Sequence, residues 1–242
     1  MQENMLNNTP HTVNGKNNDS HNVLALAGKG GVGKSTIAVN LALAMTHAGA
    51  STILLDTNIT SPSMSQLLGS THLPHTIQEV LANKCTPQQA LYQHPTGLRF
   101  VPASIAAEHA HTQLTRLPAL LRHYQTQAQT LILDGPAGFG TDAQTVLGNA
   151  TNNLIVVTPD RLSITEGLRL RHACPNVRGM IVNKTTTETL SEKFLLAPIL
   201  ATLPEEHMLQ HAARLGQPFN HISPATLFAT QIAALAQQCL RL

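Results

Sequence analysis

The residues most able to do chemistry lie in one short stretch, Ala27-Gly28-Lys29-Gly30-Gly31-Val32-Gly33-Lys34-Ser35-Thr36. From Gly28 to Ser35 it satisfies the spacing GxxxxGK[ST], with a β-type run before it and a helix-compatible run after it. The spacing has a mechanical reason. Glycines let successive backbone N–H groups turn inward on phosphate oxygens, the lysine reaches the outer phosphates, and the hydroxyl after it joins a Mg²⁺ shell. Neither Lys34 nor Ser35 is needed for a plain glycine-rich turn, so the segment reads as a phosphate cradle. Lys29 adds a second basic residue before the paired glycines, where its side chain can leave its own loop and reach a phosphate bound elsewhere.

Such a loop needs a strand to launch it and a helix to receive it. Runs that are apolar on both faces recur at Val23–Ala27, Thr52–Asp56, Leu98–Val101, Thr130–Asp134, Leu154–Thr158, Gly179–Asn183 and Ile199–Leu203. Helix-compatible segments separate them: Lys34–His47, Ile77–Ala82, Leu114–Gln127, Asp142–Asn149, Ile164–Arg171, Glu205–Leu215 and Ala225–Leu240. This alternation predicts an α/β fold, a doubly wound and mainly parallel seven-stranded sheet with helices on both faces. Gly49 is the expected stop of the first helix, and Pro118 suits the fourth helical segment only if the helix begins there.

The chain of 242 residues, 42% hydrophobic and 12% charged, fits one domain over residues 23–242 after a polar tail at 1–22. That tail, rich in Asn, Thr and His, lacks the apolar centre of a signal peptide, so a flexible tail on a cytoplasmic protein is expected. No apolar run approaches the ~20 residues of a membrane span. A net charge of +2 gives no broad footprint for nucleic acid or anionic lipid. The three cysteines Cys85, Cys174 and Cys239 are widely separated and read as buried small apolar residues.

With Lys29 beside the paired glycines, the loop resembles the deviant Walker A motif of the MinD/ParA family, and the resemblance covers nearly the whole chain after residue 22. The family implies a P-loop ATPase with ATP and Mg²⁺ as cofactors, in which two subunits close as a homodimer on two ATP molecules and use this lysine across the interface. Leu54 to Ser63 looks like the family's first switch and Leu133 to Gly138 like its second, with Asp134 as the Walker B carboxylate. Strand carboxyl ends face the ligand crevice in such sheets, which would turn Asp56 and Asp134 toward the same Mg²⁺ as Ser35. The resemblance further implies that Asn183 meets the adenine and that Pro204 and Glu205 close over it. Thr186 stands where a guanine-specific NKxD motif needs Asp, which favours ATP. One departure is clear: Asn58 occupies a place where the family normally has an acidic residue that orients the attacking water, so slow hydrolysis is expected.

Other constellations are weaker. His109 with His111, and His207 with His211, offer only two ligands each where structural zinc takes four. Iron–sulfur relatives of this loop need cysteines near the second switch or a terminal CxxC, and residues 135–140 read Gly-Pro-Ala-Gly-Phe-Gly. The last segment carries Leu227, Phe228, Ile232, Leu235 and Leu240 but a single basic residue, Arg241, so packing on the domain is expected over membrane anchoring. Arg161, Arg169, Arg171 and Arg178 form no groove-reading motif. The MinD-like branch implies spatial positioning of a cellular structure with an activating or cargo protein as partner; a DNA-associated partition ATPase is the alternative, and neither membrane nor DNA contact has a clear motif.

Overall fold

A computed structural model describes residues 21–70, 73–104, 113–186 and 198–242. Strands β1 (Asn22–Ala27), β2 (Thr52–Asp56), β3 (Tyr92–Gln93), β4 (Arg99–Val101), β5 (Thr130–Asp134), β6 (Asn152–Val157), β7 (Val177–Thr185) and β8 (Ile199–Pro204) form one sheet in the order β3-β4-β2-β5-β1-β6-β7-β8. All pairs are parallel except β3 with β4. The helices are α1 (Lys34–His47), α2 (Met64–Leu67), α3 (Ile77–Leu81), α4 (Leu117–Gln125), α5 (Thr141–Gly148), α6 (Arg161–Ala173), α7 (Met208–Leu215), α8 (Phe219–Ile222) and α9 (Leu227–Cys239).

Period-2 alternation divides the buried side chains between the two faces of the sheet. Leu24, Leu26, Leu54, Ile132, Leu154, Val156 and Ile181 pack with α1, α8 and α9, while Val23, Ala25, Ile53, Leu55, Leu131, Leu133 and Ile155 pack with α3, α4 and α5. Burial on both faces is why these strands read as unbroken apolar runs. α1 lies under the sheet with Ile37, Ala38, Leu41, Ala42, Leu43 and Met45 buried, and ends where Gly49 takes a left-handed φ of 88°.

Two features correct the expected architecture. The sheet has eight strands: Gly97 turns the chain so that His94 N–H reaches the Leu98 carbonyl at 2.8 Å, and Tyr92 pairs with Phe100 across a two-residue antiparallel edge. An edge so short has no apolar run to announce it. α2 and α8 are also unforeseen, each four residues and too short for helical periodicity. A 3₁₀ turn at Leu114–Arg116 precedes α4, which starts at Leu117 so that Pro118 falls in the first turn, where its missing N–H is harmless. α7 starts at Met208, later than expected. Asn22, placed in the polar tail by sequence, is the first residue of β1, and residues 1–20 lie outside the described residues.

α9 packs on α1 and β8 as expected, burying Phe228, Ile232, Leu235 and Cys239. Phe228 meets Phe219 edge-on with ring centroids 5.7 Å apart. Phe228→Ala should therefore lower stability by about 3–5 kcal/mol, measured by denaturant unfolding.

Candidate functional site

Parity and register converge on one point. Asp56 and Asp134 end adjacent parallel strands and are direct Cα partners. Each lies two residues beyond a side chain on the α1 face, Leu54 and Ile132 respectively, so both carboxylates share that face. Asn183 follows Ile181 by the same step on β7. β1 runs beside β5 with Leu26 opposite Asp134, and at its end the chain enters the glycine loop that delivers α1 back beneath these groups.

Two glycines make the loop geometry attainable. Gly28 has φ of 148°, and a Cβ there would stand 2.3 Å from the Val156 carbonyl oxygen. Gly33 caps α1 with φ of 97°, and a Cβ there would stand 2.4 Å from the Asn183 amide nitrogen. Loop and sheet approach closer than any side chain permits. Because α1 starts at Lys34, its first N–H groups have no carbonyl partners within the helix and give the loop the character of an anion site. Gly30, Gly31, Gly33, Lys34, Ser35 and Thr36 all line an open cleft of about 620 Å³. Val32, in contrast, is buried beneath the loop and contributes only backbone.

The electrostatics of the cleft floor are out of balance. Asp56 and Asp134 are fully buried. Burial drives the Asp56 carboxyl well above the usual carboxylate range, and the neighbouring Asp134 charge pushes the same way against the 3.2 Å hydrogen bond from Asn58 N–H. Burial likewise raises Asp134, to about 6, although the Ser35 hydroxyl and the Lys34 charge lie near enough to oppose the rise. Asp56 Oδ2 and both Asp134 oxygens are buried without a hydrogen bond of normal geometry. Three orphaned carboxylate oxygens beside a serine hydroxyl match the hard oxygen set that Mg²⁺ prefers. Lys34 is buried too, donating from Nζ to the carbonyls of Gly28 and Lys29, each at 3.1 Å; burial lowers its pKa against the pull of Asp134 and Glu166.

The remaining expected residues divide. Lys29 is only half-buried and has no ion pair among the described residues, although it helps Thr158 and Ser163 hold the Asp160 carboxyl below its ordinary range. Asn58 lines the cleft, but its amide is committed to its own loop: Nδ2 donates to the Ser61 carbonyl at 2.6 Å. Asn183 lines the cleft and donates one hydrogen of its Nδ2 amide to the Val32 carbonyl at 2.8 Å. Its Oδ1 alone is buried without a partner. Pro204 and Glu205 line the far side of the cleft with Glu206 and His207.

Sequence reading missed several contacts. Lys184, in a left-handed conformation with φ of 57°, donates from Nζ to the Gly31 carbonyl at 2.9 Å across 153 positions. Thr57 donates from both N–H and hydroxyl to the Asp134 carbonyl, at 3.1 and 2.8 Å, and Gly138 N–H reaches the Gly28 carbonyl at 3.2 Å. No motif marks such contacts; they follow from strand order. Of the histidine pairs, His207 and His211 are exposed, while His109 and His111 lie outside the described residues. Arg178 is tied by its Nε to Asn152. Cys174 and Cys239 are buried as expected, but Cys85 is partly exposed, because it follows the open turn after α3.

Comparison with known proteins agrees with the geometry. The ParA family, described as NUBPL iron-transfer P-loop NTPase, matches residues 18–189. An ATP-binding protein of Methanocaldococcus jannaschii is 28% identical over 88% of this chain and 85% of its own length. The septum site-determining protein MinD of Thermotoga maritima is 29% identical over 81% of this chain and 79% of its own length. Among solved structures, MinD of Pyrococcus horikoshii complexed with Mg-ADP superposes with a TM-score of 0.82 at 22% identity, covering 90% of this chain and 95% of that one. The glycine loop between β1 and α1, the two strand-end aspartates and the family match together make this chain a member of the ParA family of P-loop NTPases, with MinD among its relatives.

Proposed function

We propose that the chain is a MinD-like switch ATPase that closes as a homodimer on ATP and Mg²⁺ and serves the spatial positioning of a cellular structure in the cytoplasm. The observation that carries this reading is a set of three buried carboxylate oxygens without a hydrogen bond of normal geometry, Asp56 Oδ2 and both oxygens of Asp134, on register-paired residues at the mouth of the glycine loop. A bound Mg²⁺ would neutralise charge on the outer phosphates of ATP, and Ser35, Asp56 and Asp134 are the residues that would hold it. Lys34 exchanges its two carbonyl partners for phosphate oxygens, the N–H groups from Gly30 to Thr36 cradle the rest, and the half-buried Lys29 extends to the nucleotide of a second copy. Asn183 Oδ1 accepts from the base amino group while its Nδ2 keeps the loop in place, and Pro204 and Glu205 cover the base.

Switching follows from the hydrogen bonds already described. Thr57 fastens the first switch to the end of β5, and Gly138 fastens the second to the glycine loop. Phosphate bound in the loop therefore acts on both segments at once, which is how a nucleotide supplies coupling free energy. An activating or cargo protein reads the result. A partition ATPase riding on DNA remains the alternative, with Arg161, Arg169 and Arg171 on or near the exposed side of α6 but Arg178 engaged. The family description mentions iron transfer, yet an iron–sulfur cluster takes four cysteine thiolates, and none of Cys85, Cys174 and Cys239 lines the cleft.

Lys34→Ala should abolish ATP binding by calorimetry, whereas Lys29→Ala should bind ATP nearly as the parent does yet fail to dimerise with it in light scattering. An ATP-induced dimer of Lys29→Ala would contradict the assignment. Asn58 carries no charge and its amide is held by Ser61, so it polarises an attacking water weakly. Asn58→Asp should raise ATP turnover by about one to two orders of magnitude, about 1.4 kcal/mol of barrier per tenfold; equal or lower turnover with dimerisation intact would overturn this.

The carboxylate pair also predicts a pH dependence. Asp134 is raised from 3.8 to about 6 in the folded chain, so its stabilising proton is fully held below pH 4 and lost as pH rises through 6. Without nucleotide, stability should fall over that range. Asp134→Asn removes the burden and should be more stable than the parent at pH 8 by about 1–3 kcal/mol, with the difference vanishing near pH 4 in thermal or denaturant melts.

A further inference from the structure

α3 starts from Thr76, whose N–H is capped by Glu79 Oε2 at 2.9 Å, and the preceding residue is His75. After α3 the chain reverses at Asn83, which has φ of 56°, and Cys85 comes back beside the helix start. One ligand atom each from His75, Glu79 and Cys85 lies within 4.8 Å of the other two. His75 Nδ1 stands 3.8 Å from Glu79 Oε2 and is buried without a hydrogen-bond partner among the described residues, a costly state for a ring nitrogen. The His75 main chain is itself anchored, since its N–H donates to the Tyr92 hydroxyl at 3.0 Å. Cys85 also lines an open groove of about 180 Å³ with Asn83, Pro87 and His123, so the thiol is reachable from solvent.

We propose that His75, Glu79 and Cys85 form a second metal site, separate from the nucleotide cleft, that binds one Zn²⁺-class cation with water as the fourth ligand. The donor set decides the cation. An imidazole nitrogen, a carboxylate oxygen and a thiolate suit a borderline-soft tetrahedral ion and do not suit Mg²⁺ or Ca²⁺, which take oxygen ligands. Zinc bonds of about 2.0–2.3 Å place ligand atoms of a tetrahedron about 3.3–3.8 Å apart, so the three groups need close by only about 1 Å. Glu79 serves cap and cation together: Oε2, the oxygen that faces His75, accepts from the Thr76 N–H, and a carboxylate has further lone pairs for the cation. Burial and the Glu79 charge raise the Cys85 thiol pKa, so the free site keeps its proton. Binding releases that proton to solvent as the S–metal bond forms, with no change of oxidation state. The bound ion would clasp the start of α3 to the turn that follows it.

The test uses the full, metal-free chain with Co²⁺ as a spectroscopic probe and Zn²⁺ as competitor. One thiolate-to-cobalt absorption band per chain is expected, displaced by equimolar Zn²⁺, lost in Cys85→Ser and kept in Cys174→Ser and Cys239→Ser. His75→Gln and Glu79→Gln should each weaken Zn²⁺ binding at least about tenfold; Glu79→Gln retains an oxygen for the cap. In the unaltered chain, Zn²⁺ should slow alkylation of Cys85 by tenfold or more, a readout that no variant's folding can confuse. Absence of the thiolate band, its survival in Cys85→Ser, or unprotected Cys85 at saturating Zn²⁺ would each overturn the proposal.

Discussion

Two carboxylates that belong in water sit side by side at the bottom of a cleft, and the arrangement around them follows from that conflict. Asp56 and Asp134 are register partners on adjacent strands, both fully buried. Each raises the cost of ionising the other, and burial raises it further. A fold does not keep such a pair for stability, because protonation or replacement would relieve it. The strain is intelligible if a cation completes the site. Perturbed groups of this kind gather where ligands bind.

The surrounding architecture holds this pair in position without neutralising it. Parallel strands buried on both faces fix the register, and alternation puts both aspartates on the side covered by α1. The glycine loop then returns the chain so that Ser35 and the open N-terminus of α1 face them. Lys34 lies close to the pair, but it is turned onto the Gly28 and Lys29 carbonyls. Asn183 and Lys184 pin the loop from the far side through Val32 and Gly31. The loop is thus hydrogen-bonded to β7 on one side and, through Gly138, to the segment after β5, while Thr57 ties the end of β2 to the same strand.

Much of this was legible in the sequence where a motif and an element coincide. β2, β5 and α1 have the bounds read from the sequence, because a strand-end aspartate or the glycine loop marks each one. What failed has physical causes. β3 is two residues long and depends on a turn at Gly97, so no apolar pattern precedes it. The hydrogen bond from Asn183 to the Val32 carbonyl, made where Gly33 brings the loop close to β7, is marked by no motif. Cys85 was read as buried, since nothing local shows that the turn at Asn83 leaves it open beside His75 and Glu79. Contacts between residues far apart in sequence depend on strand order, which single-sequence periodicity does not encode.

If Asp56 and Asp134 seat a cation, nucleotide binding depends on that divalent cation. ATP should be titrated into the chain by calorimetry with Mg²⁺ present and again with Mg²⁺ chelated, at one pH above 7. With the carboxylates unbridged, the phosphates meet uncompensated negative charge at the cleft floor, and ATP affinity should fall at least about tenfold, equivalent to about 1.4 kcal/mol. Equal affinity in the two titrations would contradict the claim that Asp56 and Asp134 form the seat of a cation.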